Sequence, residues 1–142
     1  IGIPPMLQMA KELAADKEIV LGYRNRQLFL SDRFELCGKV HIATEDGSVG
    51  TKGTVLDVIQ SKQLRAEVIY ACGPMPMLKA LKQYAAQQGI ECWISLEERM
   101  ACGVGACLGC VCRTTHKDAH SHVHNQRICT EGPVFDAREV EL

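Results

Sequence analysis

The segment Cys102-Gly-Val-Gly-Ala-Cys107-Leu-Gly-Cys110 sets three thiols at a C-x4-C-x2-C spacing, with Cys112 just beyond. That spacing, completed by a later cysteine, is the one used by plant-type [2Fe–2S] sites. Cys129 is the only cysteine after Cys112, which makes it the natural fourth ligand. A loop wrapped closely around a cluster must turn sharply, and Gly103, Gly105 and Gly109 supply the needed freedom. The same loop aims backbone N–H groups at sulfurs that carry net negative charge. Structural zinc is the competing metal. A four-cysteine zinc site usually shows two C-x2-C knuckles, whereas only Cys107 and Cys110 form one here, and Cys110 to Cys112 is too tight for a second. Cys112, on a strand leaving Cys110, shares that residue's face and is the alternative ligand.

Cys37, Cys72 and Cys92 sit singly in apolar segments and read as small core residues. A disulfide framework would spread its eight cysteines more evenly. Between Cys110 and Cys129 lie His116, His120, His122 and His124. They read as a solvated loop, with a fortuitous surface metal site as the alternative. A second candidate site is Cys72-Gly73-Pro74, where an apolar strand ends in a glycine turn before a helix. Ligands bind at the carboxyl ends of parallel strands, and Gly73 lets a flat ring approach the backbone. The alternative there is a core cysteine before an ordinary turn. Gly2 and Pro5, opening a helix, form a weaker candidate for a pyrophosphate cradle.

These residues need a scaffold, and the first 95 residues alternate between helical and strand patterns. Helices are expected from Pro4 to Ala14, Gln27 to Leu36 (Leu28, Phe29 and Phe34 inward), Thr54 to Gln60, and Met75 to Gln88, the last closed by Gly89. Strands are expected at Glu18–Tyr23, Val40–Ala43, Val68–Ala71 and Glu91–Ser95. Such alternation implies βαβ units and a mostly parallel sheet, an α/β fold. From Leu96 onward glycine and cysteine dominate, with short β pieces at Cys110–Arg113 and Val134–Phe135. The expected organisation is residues 1–95 as one α/β domain and 96–142 as a small β-rich cluster domain that draws stability from its metal. The chain opens as if within a βα turn, so the first strand of the α/β domain is expected to lie upstream. A formal charge of −1 points away from nucleic acid, and the longest apolar runs are far short of a bilayer span. With no secretory leader, a cytoplasmic location is expected.

The run from Ile94 to Cys112, then Ile128-Cys129-Thr-Glu-Gly-Pro-Val-Phe-Asp136, resembles the electron-transfer subunit of the type B dihydroorotate dehydrogenases. Gly2-Ile-Pro-Pro-Met6 and Tyr70-Ala-Cys72-Gly-Pro74 resemble the nicotinamide half of the ferredoxin reductase superfamily, to which that subunit belongs. The resemblance implies a parallel-sheet, ferredoxin-reductase-type NAD-binding domain followed by a [2Fe–2S] domain, with an FAD-binding barrel upstream of both. It implies that electrons from dihydroorotate oxidation pass from an FMN-containing catalytic subunit, in a heterotetramer, across the cluster to FAD and then to NAD+. It also implies that these residues alone, without the barrel, lack flavin and NAD reduction. Two further readings are the reductase component of an oxygenase and a stand-alone iron–sulfur carrier. The gap of 18 residues between Cys110 and Cys129 is shorter than in the ferredoxin modules fused to oxygenase reductases.

Overall fold

A computed structural model describes residues 2–117 and 122–142. Its contacts divide the chain into two compact units, one ending at Glu67 and the other spanning Val68–Leu142.

The first unit begins with α1 (Ile3–Glu12), whose prolines fall in the first turn, where no intrahelical N–H bond is lost. It continues through β1 (Glu18–Tyr23), α2 (Ser31–Phe34), β2 (Lys39–Thr44), β3 (Thr51–Lys52) and α3 (Val55–Ser61). Strands β1, β2 and β3 pair in that order, all parallel, with Glu18 opposite Lys39 and Tyr23 opposite Thr44. Leu7, Ala10, Leu21, Tyr23 and Phe34 form the buried core, with Met6, Ile19 and Val40 packed against it. A capping box closes the start of α3: the Thr54 hydroxyl accepts from Asp57 N–H, and the Asp57 carboxylate accepts from Thr54 N–H at 2.6 Å. The helix expected over Gln27–Leu36 contracts to one turn. Leu30 takes a left-handed φ of 63° that interrupts helical geometry, and Phe29 is half exposed, edge-on to Tyr23, while Phe34 alone is fully inward.

His41 is buried in this unit and fully engaged. Its Nε2 lies 2.5 Å from Glu18 Oε2, and its Nδ1 lies 3.1 Å from Lys62 Nζ. An ammonium only donates, so Nδ1 accepts and Nε2–H donates to the carboxylate. The bond from His41, helped by Lys39, holds the Glu18 carboxyl below its ordinary 4.5. A depressed folded-state value means this stabilisation is fully present above 4.5 and is lost as pH falls through the folded value. Glu18→Gln should therefore flatten the acid limb of thermal melting below that pH. Identical limbs in wild type and variant would dismiss the effect.

The second unit holds β4 (Val68–Cys72), α4 (Met75–Gln88), β5 (Glu91–Ser95), β6 (Val111–Thr114), β7 (Asn125–Arg127), β8 (Val134–Asp136) and β9 (Val140–Glu141). Helix α4 buries Leu78, Leu81 and Ala85, and Gly89 ends it in the left-handed conformation, as its position predicts. Strands β4 and β5 are parallel, β8 adds antiparallel to β5, and a separate antiparallel sheet runs β7-β6-β9. The expected parallel strands are thus present but fall into two sheets rather than one. The contacts also do not divide at the expected 95/96 boundary. Ile94 pairs with Phe135, Ala137 N–H reaches Cys92 O at 2.8 Å, and the Lys82 ammonium donates to Val140 O. These bonds join the cysteine-rich segment to β4, α4 and β5.

Candidate metal centre

The register of β6 against β7 decides where the ligands meet. Val111 pairs with Arg127, and one residue further out Ile128 N–H donates to Cys110 O at 2.9 Å. The hairpin therefore delivers Cys110 at the start of one strand beside Cys129, which follows the other. Cys110 is buried, Cys129 half-buried, and Cys102 and Cys107 lie exposed on the preceding loop. That loop turns through left-handed residues at Gly103 (φ 68°), Gly105 (φ 81°) and Leu108 (φ 56°). At Gly105 a side chain would come within 3.1 Å of Thr130, so the loop lies directly against the segment that carries Cys129.

The turns point N–H groups at sulfur, as the glycine spacing predicts. Cys102 Sγ accepts from Val104 N–H at 3.5 Å and Cys107 N–H at 3.4 Å, and Cys107 Sγ accepts from Gly109 N–H at 3.4 Å. Led by the Val104 bond, and joined by those from Cys107 and Ala106, these donors lower the Cys102 thiol from 9.0 to about 6. Cys129 moves the other way. Its hydrogen bond with Cys110 keeps it protonated, and the nearby Cys110 and Cys102 sulfurs oppose a further negative charge, although Gly105 N–H partly offsets this. Four thiolates packed this closely repel one another unless cations sit among them.

Cys107 N–H donates to Cys102 Sγ on the loop, and Cys129 stands near enough to both Cys110 and Cys102 for their charges to act on it. Cys112 lies within β6 opposite Gln126, where burial pushes its thiol upward. His116 approaches Glu139 at 3.6 Å, and His120 lies outside the described residues.

The remaining predicted site residues fall in both units. Gly2 precedes α1, and Pro5 lies in its first turn. Cys72 ends β4, Gly73 forms the turn, and Pro74 caps α4. A Cβ on Gly73 would come within 2.6 Å of the Met77 methyl. The strand-turn-helix expected there is present. Sequence reasoning missed Arg127 and Glu131, which bracket Cys129. The Glu131 carboxylate accepts from Arg127 Nε at 2.9 Å, and Arg127 Nη1 donates to Gly105 O at 3.4 Å. An Arg and a Glu four residues apart across a ligand was the available signal, but that spacing is informative only within a helix.

Among the described residues no helix is long and apolar enough to cross a membrane. The fold resembles that of an NADH-dependent reduced ferredoxin-NADP oxidoreductase involved in flavin-based electron bifurcation, with a TM-score of 0.80 and 26% identity over 96% of this chain and 48% of that one. Residues 97–141 match the iron–sulfur cluster binding domain of dihydroorotate dehydrogenase B. The electron transfer subunit of dihydroorotate dehydrogenase B (NAD(+)) from Caldanaerobacter subterraneus subsp. tengcongensis is 45% identical over 99% of this chain and 56% of its own length. The subunit of that name from Geobacillus sp. (strain WCH70) is 46% identical over 100% of this chain and 54% of its own. The chain is thus similar along its whole length to dihydroorotate dehydrogenase B electron transfer subunits, and it spans a little over half the length of these relatives.

Proposed function

We propose that Cys102, Cys107, Cys110 and Cys129 hold a [2Fe–2S] cluster and that the chain is the electron-relaying part of an NAD-dependent dihydroorotate dehydrogenase of pyrimidine biosynthesis, working in the cytoplasm. The observation that carries this reading is a loop whose N–H groups donate to Cys102 and Cys107, beside a hairpin whose register sets Cys110 next to Cys129. When bound, such a cluster accepts and releases one electron at a time. The relay joins an FMN-containing catalytic subunit, which oxidises dihydroorotate, to FAD and NAD+, in a heterotetramer. Residues 1–95 supply the ferredoxin-reductase-type NAD-binding function and 96–142 the cluster-binding function, the latter carried on the unit that includes β4, α4 and β5. Gly2 and Pro5 before and within the first turn of α1, and Cys72, Gly73 and Pro74 between β4 and α4, are the nucleotide contacts. A strand ending in a glycine turn before a helix supports the second group.

The chain reconstituted with ferrous iron and sulfide should show, on reduction, one rhombic [2Fe–2S] EPR signal per chain. Stoichiometric zinc without inorganic sulfide, in protein made with iron available, would refute the cluster. The partner is tested separately. Val104 and Leu108 on the ligand loop are 73% and 62% exposed, a large apolar exposure beside a redox centre. Val104→Glu or Leu108→Glu should weaken association with the FMN subunit about tenfold or more, equivalent to about 1.4 kcal/mol. Reduction of the cluster by dihydroorotate should slow while its EPR signal stays the same. Full association and an unchanged rate would place the partner elsewhere.

A further inference from the structure

The ligand loop is tied to the Cys129 segment by a charged pair that neither the thiol motif nor the match to relatives assigns. Arg127 leaves the end of β7 with its side chain 31% exposed, and Glu131 faces it at 27%. The carboxylate takes Arg127 Nε on both oxygens, at 2.9 and 3.2 Å, and also accepts from Nη2 and from the Arg127 backbone N–H. This bidentate grip fixes the plane of the guanidinium. Its remaining arm, Nη1, donates to Gly105 O at 3.4 Å. The peptide unit beyond that carbonyl leads directly into Cys107, whose own N–H donates to Cys102 Sγ at 3.4 Å. A cation drawing on the carbonyl side of a peptide polarises it and strengthens what its N–H side offers a neighbouring anion. Glu131 follows Cys129 by two residues, and its backbone N–H donates to Arg127 O at 2.8 Å, which holds its carboxylate on the ligand segment.

We infer that Arg127 and Glu131 are positioning residues that set the reduction potential of the cluster, Arg127 by favouring the added electron through the Gly105–Ala106 peptide and Glu131 by opposing it. The inference rests on the cluster reading above. Reduction adds one negative charge, so a nearby cation raises the potential and a nearby anion lowers it. The two charges are opposite and in contact, so removing either one changes the net charge beside the cluster by one unit in a half-buried site where screening is incomplete.

The test is a redox titration, followed by EPR, of the reconstituted 142-residue chain and its Arg127→Gln, Glu131→Gln, double and Arg127→Lys variants at one fixed pH and ionic strength. Arg127→Gln should shift the midpoint to more negative potential and Glu131→Gln to more positive, with the double variant returning close to wild type. Arg127→Lys, which keeps the charge without the fork, should shift less than Arg127→Gln. A clamp that only holds the loop in place would move both single variants in the same direction. That result, or unmoved midpoints with the EPR signal intact, overturns the inference. Should Arg127→Gln fail to retain its cluster, Glu131→Gln decides alone, and absence of a positive shift overturns it. Absence of any cluster in the wild type would instead count against the function proposed above.

Discussion

Replacing any one of Cys102, Cys107, Cys110 and Cys129 with serine should abolish or displace the visible and EPR spectrum, while serine at Cys37, Cys72, Cys92 or Cys112 should leave it almost unchanged. The effect is large because binding at such a site is also folding energy. Two ligands come from the loop and two from the β6–β7 hairpin, so a bound cluster ties the two segments together. The apo chain and each ligand variant should therefore melt on the order of 10 °C below the loaded wild type, since 1 kcal/mol moves a domain of 60–100 residues by about 4–8 °C. Cys110→Ser should be the most damaging of the four, because Cys110 is the buried ligand and continues the β6–β7 ladder. A Cys112→Ser protein that loses its spectrum while Cys129→Ser keeps it would reassign the fourth ligand.

The second large effect is on stability and lies away from the cysteines. Gly50 sits at φ 68° in the loop between β2 and β3, and an added Cβ would lie 2.2 Å from Ile42 O and 2.9 Å from its carbonyl carbon. Both are backbone atoms of a paired strand and cannot rotate away. The loop itself is pinned, because the buried Thr44 hydroxyl donates to Val49 O at 2.7 Å and accepts from Val49 N–H. Gly50→Ala should cost on the order of 3–4 kcal/mol, combining left-handed strain with a clash that only backbone displacement relieves. Gly89 provides the comparison. It has φ 67° but nothing within 4 Å of an added Cβ. Gly89→Ala should cost about 1 kcal/mol, the conformational part alone. Denaturant unfolding of the two variants separates steric from conformational cost, and equal losses would contradict this account.

What the sequence disclosed and what it withheld have different physical origins. The turns at Gly103 and Gly105 and the stop at Gly89 are local instructions present where expected, whereas the third left-handed turn of the ligand loop falls on Leu108 and not on Gly109. Helix α3 was legible from its Thr54 start, whose capping partner lies three residues away. The one-turn α2 was not, because Leu30 adopts a conformation that its residue type disfavours and only tertiary packing sustains. Strands β3, β7 and β9 are two or three residues long and carry no periodicity of their own. They exist because a partner strand offers them hydrogen bonds. The division after Glu67 was hidden for the same reason: it depends on β8 choosing the edge of β5, a pairing between distant segments. The Arg127–Gly105 bond likewise joins residues that no local pattern connects.

The addition of β8 to β5 has a consequence for how the protein is made. During synthesis β4, α4 and β5 emerge first, and the outer edge of β5, with Ile94 buried at its centre in the finished sheet, waits for Val134–Asp136. At roughly 5–20 residues per second, translating the stretch between Ser95 and Val134 takes roughly two to eight seconds. Through that interval the nascent chain presents an open β-edge and a row of unmetallated thiols together, a combination prone to aggregation and oxidation. Expression at reduced temperature, or with holdase chaperones and iron–sulfur assembly factors in excess, should therefore raise the yield of folded chain by shielding this edge until β8 arrives.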